Sequence, residues 1–234
     1  VYPVASCNDK DFQNLMHIYM DAVLYPNIYK HEEIFCQEGW SYRMPSKDEP
    51  LTYNGVVYNE MKGAFSSPEG VLDRVVLNTL FPDTSYANES GGDPDVIPEL
   101  TYEQFLDFHR TYYHPSNSYI YLYGNMDMEE KLAFLDEHYL SHFDYLDVDS
   151  VIQEQKAFGA CQDVTLEYPV AENEGEEDNT YLSYNMVVGN AADSQMAMAF
   201  EVLDYALLSA PGAPLKQALL DVKAGKDVYG SYDD

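Results

Sequence analysis

A series of helix start and stop signals constrains this chain most strongly, because it divides the chain into short elements. Ser67 directly precedes Pro68, a pair typical of a helix N-terminus. Thr101 lies three residues before Gln104, the spacing of a capping box. Prolines follow several helical patterns soon after their last apolar residue, where they disfavour continuation of the helix. The chain therefore alternates short helices with other short segments.

Apolar spacing between these signals predicts helices and strands. The predicted helices cover residues 8–24, 31–38, a segment bearing Glu60 after Asn54-Gly55, 67–80, 101–112, 127–143, 193–207 and a last one from 214. The predicted strands cover residues 1–4, 41–44, 118–123, 164–170 and 180–188. The run 118–123 lacks polar alternation, which predicts a strand covered on both faces. The last two strands flank the acidic loop 171–178 and predict a hairpin.

The pattern weakens between about residues 144 and 159, and we place a domain boundary there. The predicted first domain covers residues 1–146, a linker covers 147–162, and a second domain begins with 163–234. The chain begins without a methionine, within a predicted strand, so we expect it to be a piece of something longer. The predicted content is one nearly complete α/β domain and part of a second.

The charge of the chain restricts its partners. Acidic residues outnumber basic ones 41 to 12, giving a formal net charge of −29. This charge repels nucleic acid phosphates and anionic membranes and favours cationic partners, although an acidic surface can also serve solubility alone. No apolar run approaches the roughly 20 residues that a membrane-spanning helix needs. We expect neither a nucleic acid nor a membrane as partner.

Most common catalytic signatures are absent from the sequence. There is no GxSxG elbow, P-loop or dinucleotide glycine fingerprint, and the three cysteines form no CxxC pair, which favours a reducing compartment. His138 and His142 have a spacing that can bind zinc, but no glutamate lies usefully between them. We interpret these two, and the remaining candidates, as structural, surface or turn residues: His17, His31 near Cys36, His109, and the pair Asp93 and Asp95.

Glu60 is the carboxylate that the sequence leaves without an explanation. Its neighbours at helical spacing are all apolar or lack a side chain: Val56, Val57, Gly63 and Ala64. Lys62, the nearest cation in sequence, lies almost opposite on the helix. A carboxylate on such a face costs several kcal/mol unless a cation, a metal or several donors meet it. A buried ion pair and a metal site both remain open on this argument.

Several sequence stretches together resemble one family. Residues 59–63 read NEMKG, 2–6 read YPVAS, and 8–12 read NDKDF. Residues 90–105, 108–125, the segment after Asp193 and the run 210–215 (APGAPL) agree in the same order. Together they resemble the presequence protease and falcilysin branch of the pitrilysin/insulinase zinc metallopeptidases, over nearly the whole chain.

The resemblance implies a fold and a metal site. Family members contain four related domains, each an α+β sandwich with helices on one face of a mostly antiparallel sheet, and their two halves close around an unfolded peptide. Their zinc is held by two histidines of a His-x-x-Glu-His motif and by a later glutamate, which Glu60 matches. Three ligands leave zinc an open position for water, and the glutamate of the motif acts as general base. By this likeness, residues 1–146 form the first domain without its zinc motif.

No His-x-x-Glu-His occurs in the 234 residues, so no catalytic residue is expected in this chain. We expect a fragment that supplies the third zinc ligand of an endopeptidase and is itself inactive, with zinc absent or weakly bound. Glu60 would then be protonated, solvated or paired with a substitute cation. The expected substrates are unfolded peptides, with basic ones favoured by the charge. A bacterial cytoplasm is favoured, with organelles as the alternative.

Two other functions remain open. One is a noncatalytic structural or regulatory subunit of the same fold, which has less reason to keep an anion at position 60. The other is an acidic binding module unrelated to peptidases, which the ordered agreement along the chain disfavours.

Overall fold

Side-chain caps set the starts of five of the eight α-helices described in the computed structural model, which describes residues 1–170, 175, 177, 179–223 and 225–233. The α-helices in these residues are α1 (Asp9–Leu24), α2 (Glu32–Glu38), α3 (Val56–Ala64), α4 (Pro68–Leu80), α5 (Tyr102–Tyr112), α6 (Met128–His138), α7 (Ser194–Asp204) and α8 (Pro214–Asp221). Short 3₁₀ turns lie at Asn27–Tyr29, Ser85–Ala87, Ile97–Glu99, Pro115–Asn117 and Leu140–His142, and a π-helical turn, Tyr205–Ser209, continues α7.

The predicted caps are present at the predicted helix starts. The Ser67 hydroxyl accepts a hydrogen bond from the Gly70 N–H at 3.1 Å at the start of α4. Thr101 and Gln104 form the reciprocal capping box of α5. The predicted helices are therefore confirmed, except that α6 ends at His138 and only a 3₁₀ turn follows it toward Phe143.

One antiparallel strand pair is present in the described residues, β1 (Ser41–Arg43) with β2 (Thr52–Asn54). Tyr42 lies opposite Tyr53 in its register. The strand predicted at 41–44 is confirmed, whereas β2 was not predicted. The helices and this small antiparallel sheet agree with an α+β composition. The sandwich architecture and the second related domain stay predictions.

Four predicted strands are wrong for this structure. Residues 1–4, 118–123, 164–170 and 180–188 are extended or irregular and have no ladder partner among the described residues. Tyr119 is 104% exposed and Tyr121 83% exposed, the opposite of coverage on both faces. A strand requires a hydrogen-bonding neighbour, which β-propensity alone does not supply. Most of the predicted hairpin loop, at 171–174, 176 and 178, lies outside the described residues.

The chain divides into two units, Val1–Ser183 and Tyr184–Asp234. In the first, α1 packs against α6. The Tyr139 ring, which follows α6 and is only 2% exposed, directs its hydroxyl to His17 of α1. Lys131 of α6 is 1% exposed and reaches Asp9 at the start of α1. These contacts hold the start and the middle of α1 against the two ends of α6.

The second unit contains α7, the π-helical turn and α8. Ala197 and Ala213 are buried, and the Phe200 ring stacks on Tyr232 with centroids 5.6 Å apart. Gly212 has φ +74°, which lets the chain turn between the two helices. The two units are defined by packing and do not test the predicted linker at 147–162, which stays a prediction.

The helices of the described residues are too short or too polar to cross a bilayer. None of them combines the length and the apolar character that a transmembrane span requires.

Candidate functional site

The β1–β2 hairpin and helix α3 meet at Gly55, and this junction positions Glu60. A Cβ atom on Gly55 would lie 2.1 Å from the Gly39 carbonyl oxygen, so no side chain fits there. The backbone of Gly55 is extended, with φ 167°, and glycine is needed here for space and not for conformation. The Tyr58 N–H donates to the same Gly39 carbonyl at 3.3 Å. Main-chain packing therefore sets the start of α3.

Met61 anchors the middle of α3 to a distant loop. Its side chain is 9% exposed, and a Cβ on Gly91 would lie 2.2 Å from its sulfur. The loop is itself held by turn chemistry, because the Asp93 carboxylate accepts the Asp95 N–H at 2.9 Å and pairs with Arg74 at 3.1 Å. The prediction that Asp93 and Asp95 serve a turn is confirmed. Because Gly91 has no side chain, the loop can pack directly against Met61 of α3.

Glu60 lies one residue before this anchor, and it is exposed. Val56 is 52% exposed, and a Cβ on Gly63 would meet no atom within 4 Å. The face of α3 that carries Glu60 is thus open to solvent, and Glu60 forms no ion pair within the part of the chain that the structure describes. This exposure favours the solvated one of the three expected states, and which state Glu60 adopts stays a prediction.

The costly apolar surroundings that the sequence suggested for Glu60 are absent here. The reason is that α3 buries Met61, with Val57 and Tyr58 half-buried, and leaves the neighbouring face uncovered. Sequence spacing identified which residues share the face with Glu60 but not which face the rest of the fold covers.

The histidines that the sequence set aside are structural where their contacts are given. Nε2 of His109 lies 2.8 Å from the Val23 carbonyl oxygen, so this nitrogen carries the proton, and the Tyr29 hydroxyl donates to Nδ1 at 2.7 Å. The Tyr139 hydroxyl donates to the His17 carbonyl at 2.8 Å and accepts from Nδ1 of the same residue at 2.7 Å. Both imidazoles are therefore held by tyrosine hydroxyls and main-chain oxygens.

Two further histidines, His138 and His31, make contacts that do not involve Glu60. The His138 ring packs against Phe134 with centroids 4.5 Å apart. His31 is exposed and only 4.0 Å from Glu33. Across the described residues, no three His, Cys, Asp or Glu side chains form a group that could hold a metal ion.

Glu60 alone offers an oxygen of the type that zinc accepts, but zinc sites in proteins use three or four protein ligands. The described residues therefore do not fit a complete zinc site on their own, and no reaction step through zinc follows from them. At α3 this chain provides one exposed carboxylate, Glu60, on a helix whose position is fixed by Gly55 and Met61.

A second feature beside α3 was not predicted from the sequence. Trp40, Tyr42 and Tyr53, which we call the aromatic corner, bring three rings together on one face of the β1–β2 hairpin. The Trp40 ring stands nearly perpendicular to both tyrosines, at 84° and 82°, with centroids 5.5 and 5.7 Å away. The two tyrosine rings are 5.4 Å apart and tilted by 31°. The β2 strand, which the sequence did not reveal, is what places Tyr53 there.

The aromatic corner is fixed on one side and open on the other. The indole N–H of Trp40 donates to the Leu100 carbonyl at 2.9 Å, which ties the hairpin to the segment before α5. Tyr42 remains 61% exposed and Tyr53 44% exposed. In the sequence, the alternation of Trp40 and Tyr42 predicts only that these two side chains share a face. The contribution of Tyr53 depends on the pairing of β1 with β2.

A model of the family described as "Peptidase M16 inactive domain" matches residues 99–234. Protein HypA of Clostridium perfringens is 56% identical over 234 residues, which are 100% of this chain and 24% of that protein. Presequence protease 1, chloroplastic/mitochondrial, of Arabidopsis thaliana is 39% identical over 98% of this chain and 22% of its own length. The mitochondrial presequence protease of Xenopus laevis is 36% identical over 97% of this chain and 22% of its own length.

The chain thus spans about a quarter of the length of these relatives, at 22% to 24%. The likeness to them extends over the hairpin and α3, which precede the residues that the family model matches. The chain belongs to the M16 peptidases, the pitrilysin/insulinase family, and to the branch that contains the presequence proteases.

Proposed function

We propose that this chain forms part of a zinc-dependent endopeptidase and that Glu60 supplies one of the zinc ligands. The observation that carries the proposal is the placement of Glu60, exposed on a helix whose start and middle are both fixed by packing. A ligand must be held in position yet remain open to the metal, and Glu60 meets both conditions. The names of the presequence protease relatives support the peptidase activity.

The other ligands must come from residues outside these 234, since the sequence contains no His-x-x-Glu-His. The length of the relatives, about four times that of this chain, supports a longer protein that supplies them. Zinc in a complete site of this kind provides the Lewis acidity for peptide hydrolysis. The role of this chain is to hold the Glu60 carboxylate toward that site, and the chain alone is proposed to be inactive.

The test compares Glu60→Gln with Glu69→Gln in the longer protein that contains this chain. Glu69 is a matched control because it is also exposed, and it lies in the first turn of the next helix. Bound zinc and hydrolysis of a fluorogenic peptide are measured for both variants. We expect Glu60→Gln to lose most of its zinc and at least about tenfold of its activity, as loss of a metal-site residue typically does, and Glu69→Gln to retain both.

Equal zinc content and activity in the two variants would overturn the role of Glu60. The 234-residue chain itself gives an independent result. We expect it to bind less than one equivalent of zinc and to cleave no peptide, and stoichiometric zinc together with cleavage would contradict its proposed inactivity.

The proposed substrates are unfolded peptides enclosed in a chamber, with basic peptides preferred. The charge of −29 supports this preference, because a strongly negative surface concentrates cationic ligands. Salt screens such attraction over about 10 Å at 0.1 M. Cleavage of basic peptides should therefore fall with added salt much more steeply than cleavage of neutral peptides, and equal salt sensitivity would refute the preference.

A noncatalytic structural or regulatory role is the second candidate. The description of the matching family model, an inactive domain, favours it for residues 99–234. Glu60 lies outside this range, and the two candidates differ at that residue. A longer protein that neither binds zinc nor depends on Glu60 would support the noncatalytic role.

We also propose a bacterial cytoplasmic location. The relative from Clostridium perfringens supports a bacterial source, while the presequence proteases carry organellar names. The three cysteines are free in the structure, as in proteins of a reducing compartment. Fractionation of the source cells, with detection of this chain in the cytoplasmic or another fraction, tests the location directly.

A further inference from the structure

We propose that the aromatic corner binds the guanidinium or ammonium group of an arginine or lysine side chain in a peptide segment. The rings pack against one another, and the exposed parts of Tyr42 and Tyr53 can accept a cation, because the centre of an aromatic face is electronegative. The ring centroids of Trp40, Tyr42 and Tyr53 form a triangle with sides of 5.4, 5.5 and 5.7 Å. A cation on the open side can therefore contact more than one ring within the roughly 6 Å range of this interaction.

The geometry of the corner is preorganised. The hydrogen bond from Trp40 to the Leu100 carbonyl fixes the orientation of the indole, and the register of the hairpin keeps Tyr42 beside Tyr53. Rigid aromatic residues lose little conformational entropy when a ligand binds, which favours recognition. Tyr53 also packs against Tyr58, with ring centroids 5.8 Å apart, but Tyr42 and Tyr53 stay 61% and 44% exposed, so part of each ring is accessible to a ligand.

The charge around the corner selects a cation over an apolar group. Glu99 lies next to Leu100, the residue whose carbonyl holds Trp40, and its side chain is exposed and has no ion pair among the described residues. The chain also carries a formal net charge of −29, so both the exposed carboxylate next to Leu100 and the charge of the whole chain favour a cation over an apolar group.

The chain uses the same interaction elsewhere with its own arginines. The Arg74 guanidinium lies 4.5 Å above the Phe65 ring, and that of Arg110 lies 5.5 Å from the Tyr29 ring. No such cation lies over the aromatic corner in the described part of the chain. Arg43 belongs to the same hairpin but follows Tyr42 directly, so strand alternation places it on the opposite face. The corner is thus open to a cation from another molecule.

The corner also adjoins the candidate site. Strand β2 ends at Asn54, and α3 with Glu60 begins two residues later. If the aromatic corner is a subsite for basic side chains of a substrate, this inference rests on the proposed function. The binding experiment below involves no cleavage and no zinc, so either proposal can fail without the other.

Trp40 allows a local measurement, since it is the one tryptophan in the 234 residues. Its fluorescence is followed during titration of the chain with a short Gly–Ser peptide that carries two arginines. An otherwise identical peptide carries two citrullines, which keep the shape of arginine but lack the charge. We expect saturable change with the arginine peptide and about five- to tenfold weaker binding of the citrulline peptide.

General attraction of a basic peptide to an acidic chain must be separated from binding at the rings. The variant Tyr42→Leu removes a ring without changing the charge, and it should weaken binding of the arginine peptide by about threefold to tenfold. Tyr42→Phe keeps the ring and should bind like the unmodified chain. Tyr121→Leu, which removes an exposed ring elsewhere, is the matched control and should have no effect.

Three outcomes would overturn the proposal. They are equal affinity of the arginine and citrulline peptides, unchanged affinity after Tyr42→Leu, and equal binding of a peptide with leucines in place of the arginines. The last would show an apolar docking surface instead of a cation site. Urea unfolding and far-ultraviolet circular dichroism of each variant verify that the chain stays folded, so loss of binding cannot be mistaken for unfolding.

Discussion

The ammonium group of Lys131 lies 3.1 Å from a carboxylate oxygen of Asp9, and this contact joins α6 to the first turn of α1. The Lys131 side chain is 1% exposed, whereas that of Asp9 is 72% exposed. Glu130 is the other carboxylate near the ammonium, at 3.6 Å. The pair is thus asymmetric, because the cation is buried and its main partner remains in water.

This asymmetry predicts that Asp9→Asn is more harmful than Lys131→Met. Asp9→Asn leaves a buried ammonium with only Glu130 and should lower the free energy of unfolding by about 1–2 kcal/mol. Lys131→Met buries an apolar side chain of similar length and should change it by less than about 1 kcal/mol. Urea unfolding measures both.

Asp11→Asn is the control for the helix-terminus effect. Asp11 is also in the first turn of α1, and neutralising it removes the same favourable interaction with the helix dipole, worth about 0.3–1 kcal/mol. The excess cost of Asp9→Asn over Asp11→Asn measures the contact with Lys131. Equal costs for the two variants would mean that this contact contributes nothing.

Three glycines near α3 should respond differently to alanine. Gly55→Ala meets rigid main chain at Gly39 and should destabilise the chain by about 1–3 kcal/mol. Gly91→Ala meets only the flexible Met61 side chain and should cost less. Gly63→Ala meets nothing and lies within the helix, so it should stabilise α3 by about 0.5–1 kcal/mol. Thermal or urea unfolding of the three variants tests this order, and a destabilising Gly63→Ala would show that the face carrying Glu60 is covered.

Tyr2 and Tyr113 should make stability depend on pH in the alkaline range. Their hydroxyls are 2.6 Å apart, and this hydrogen bond, with burial and the charge of Tyr113 as lesser causes, raises the pKa of Tyr2 from 10.0 to about 12. The folded state then binds the Tyr2 proton more tightly than the unfolded state does. The resulting stabilisation is complete below pH 10 and is lost as the pH rises through about 12.

Urea unfolding at pH 9 and at pH 11.5 measures this loss. Tyr2→Phe removes the titrating group and should flatten the decline in stability between the two values. Tyr113→Phe removes the same hydrogen bond and should flatten it in the same way. If both variants decline as steeply as the unmodified chain, the Tyr2–Tyr113 bond has no role in the pH dependence.

Tyr139→Phe should destabilise the contact between α1 and α6. The Tyr139 hydroxyl serves both the carbonyl oxygen and Nδ1 of His17, and its ring is 2% exposed. Removing the hydroxyl leaves those partners without it, at a cost of about 1–3 kcal/mol in the free energy of unfolding. Tyr25 stacks on the same ring but is 42% exposed, so Tyr25→Phe is a control expected to change stability little. Both variants keep their rings, so an equal effect would mean that the two hydrogen bonds of Tyr139 contribute nothing beyond the loss of an exposed hydroxyl.

The helices could be predicted from the sequence because their signals are local. Ser67 caps α4 through a residue only three positions away, and Thr101 exchanges hydrogen bonds with Gln104 in the same manner. Such contacts need nothing from the rest of the fold. The strands could not be predicted in this way, since the run 118–123 has the composition of a strand but no partner in the described residues.

Burial was equally difficult to predict. Lysine is rarely buried, and the burial of Lys131 is explained by its ion pair with Asp9, which belongs to a helix far away in the sequence. Met61 is buried because the loop at Gly91 packs on it, which leaves Glu60 in solvent on the adjoining face. The sequence identified Glu60 through a family resemblance, and its assignment as a zinc ligand stays a prediction.

The packing of Gly55 against Gly39 has a consequence for how this region can change. Because main-chain atoms and the lack of a side chain set the junction, substitutions on the outer surface of the hairpin need not displace α3. Evolution or protein engineering can therefore exchange the residues that face a ligand while Glu60 keeps its position. If Glu60 and the aromatic corner have their proposed roles, metal coordination and ligand selectivity can change independently, although fewer than twenty residues separate Tyr42 from Glu60.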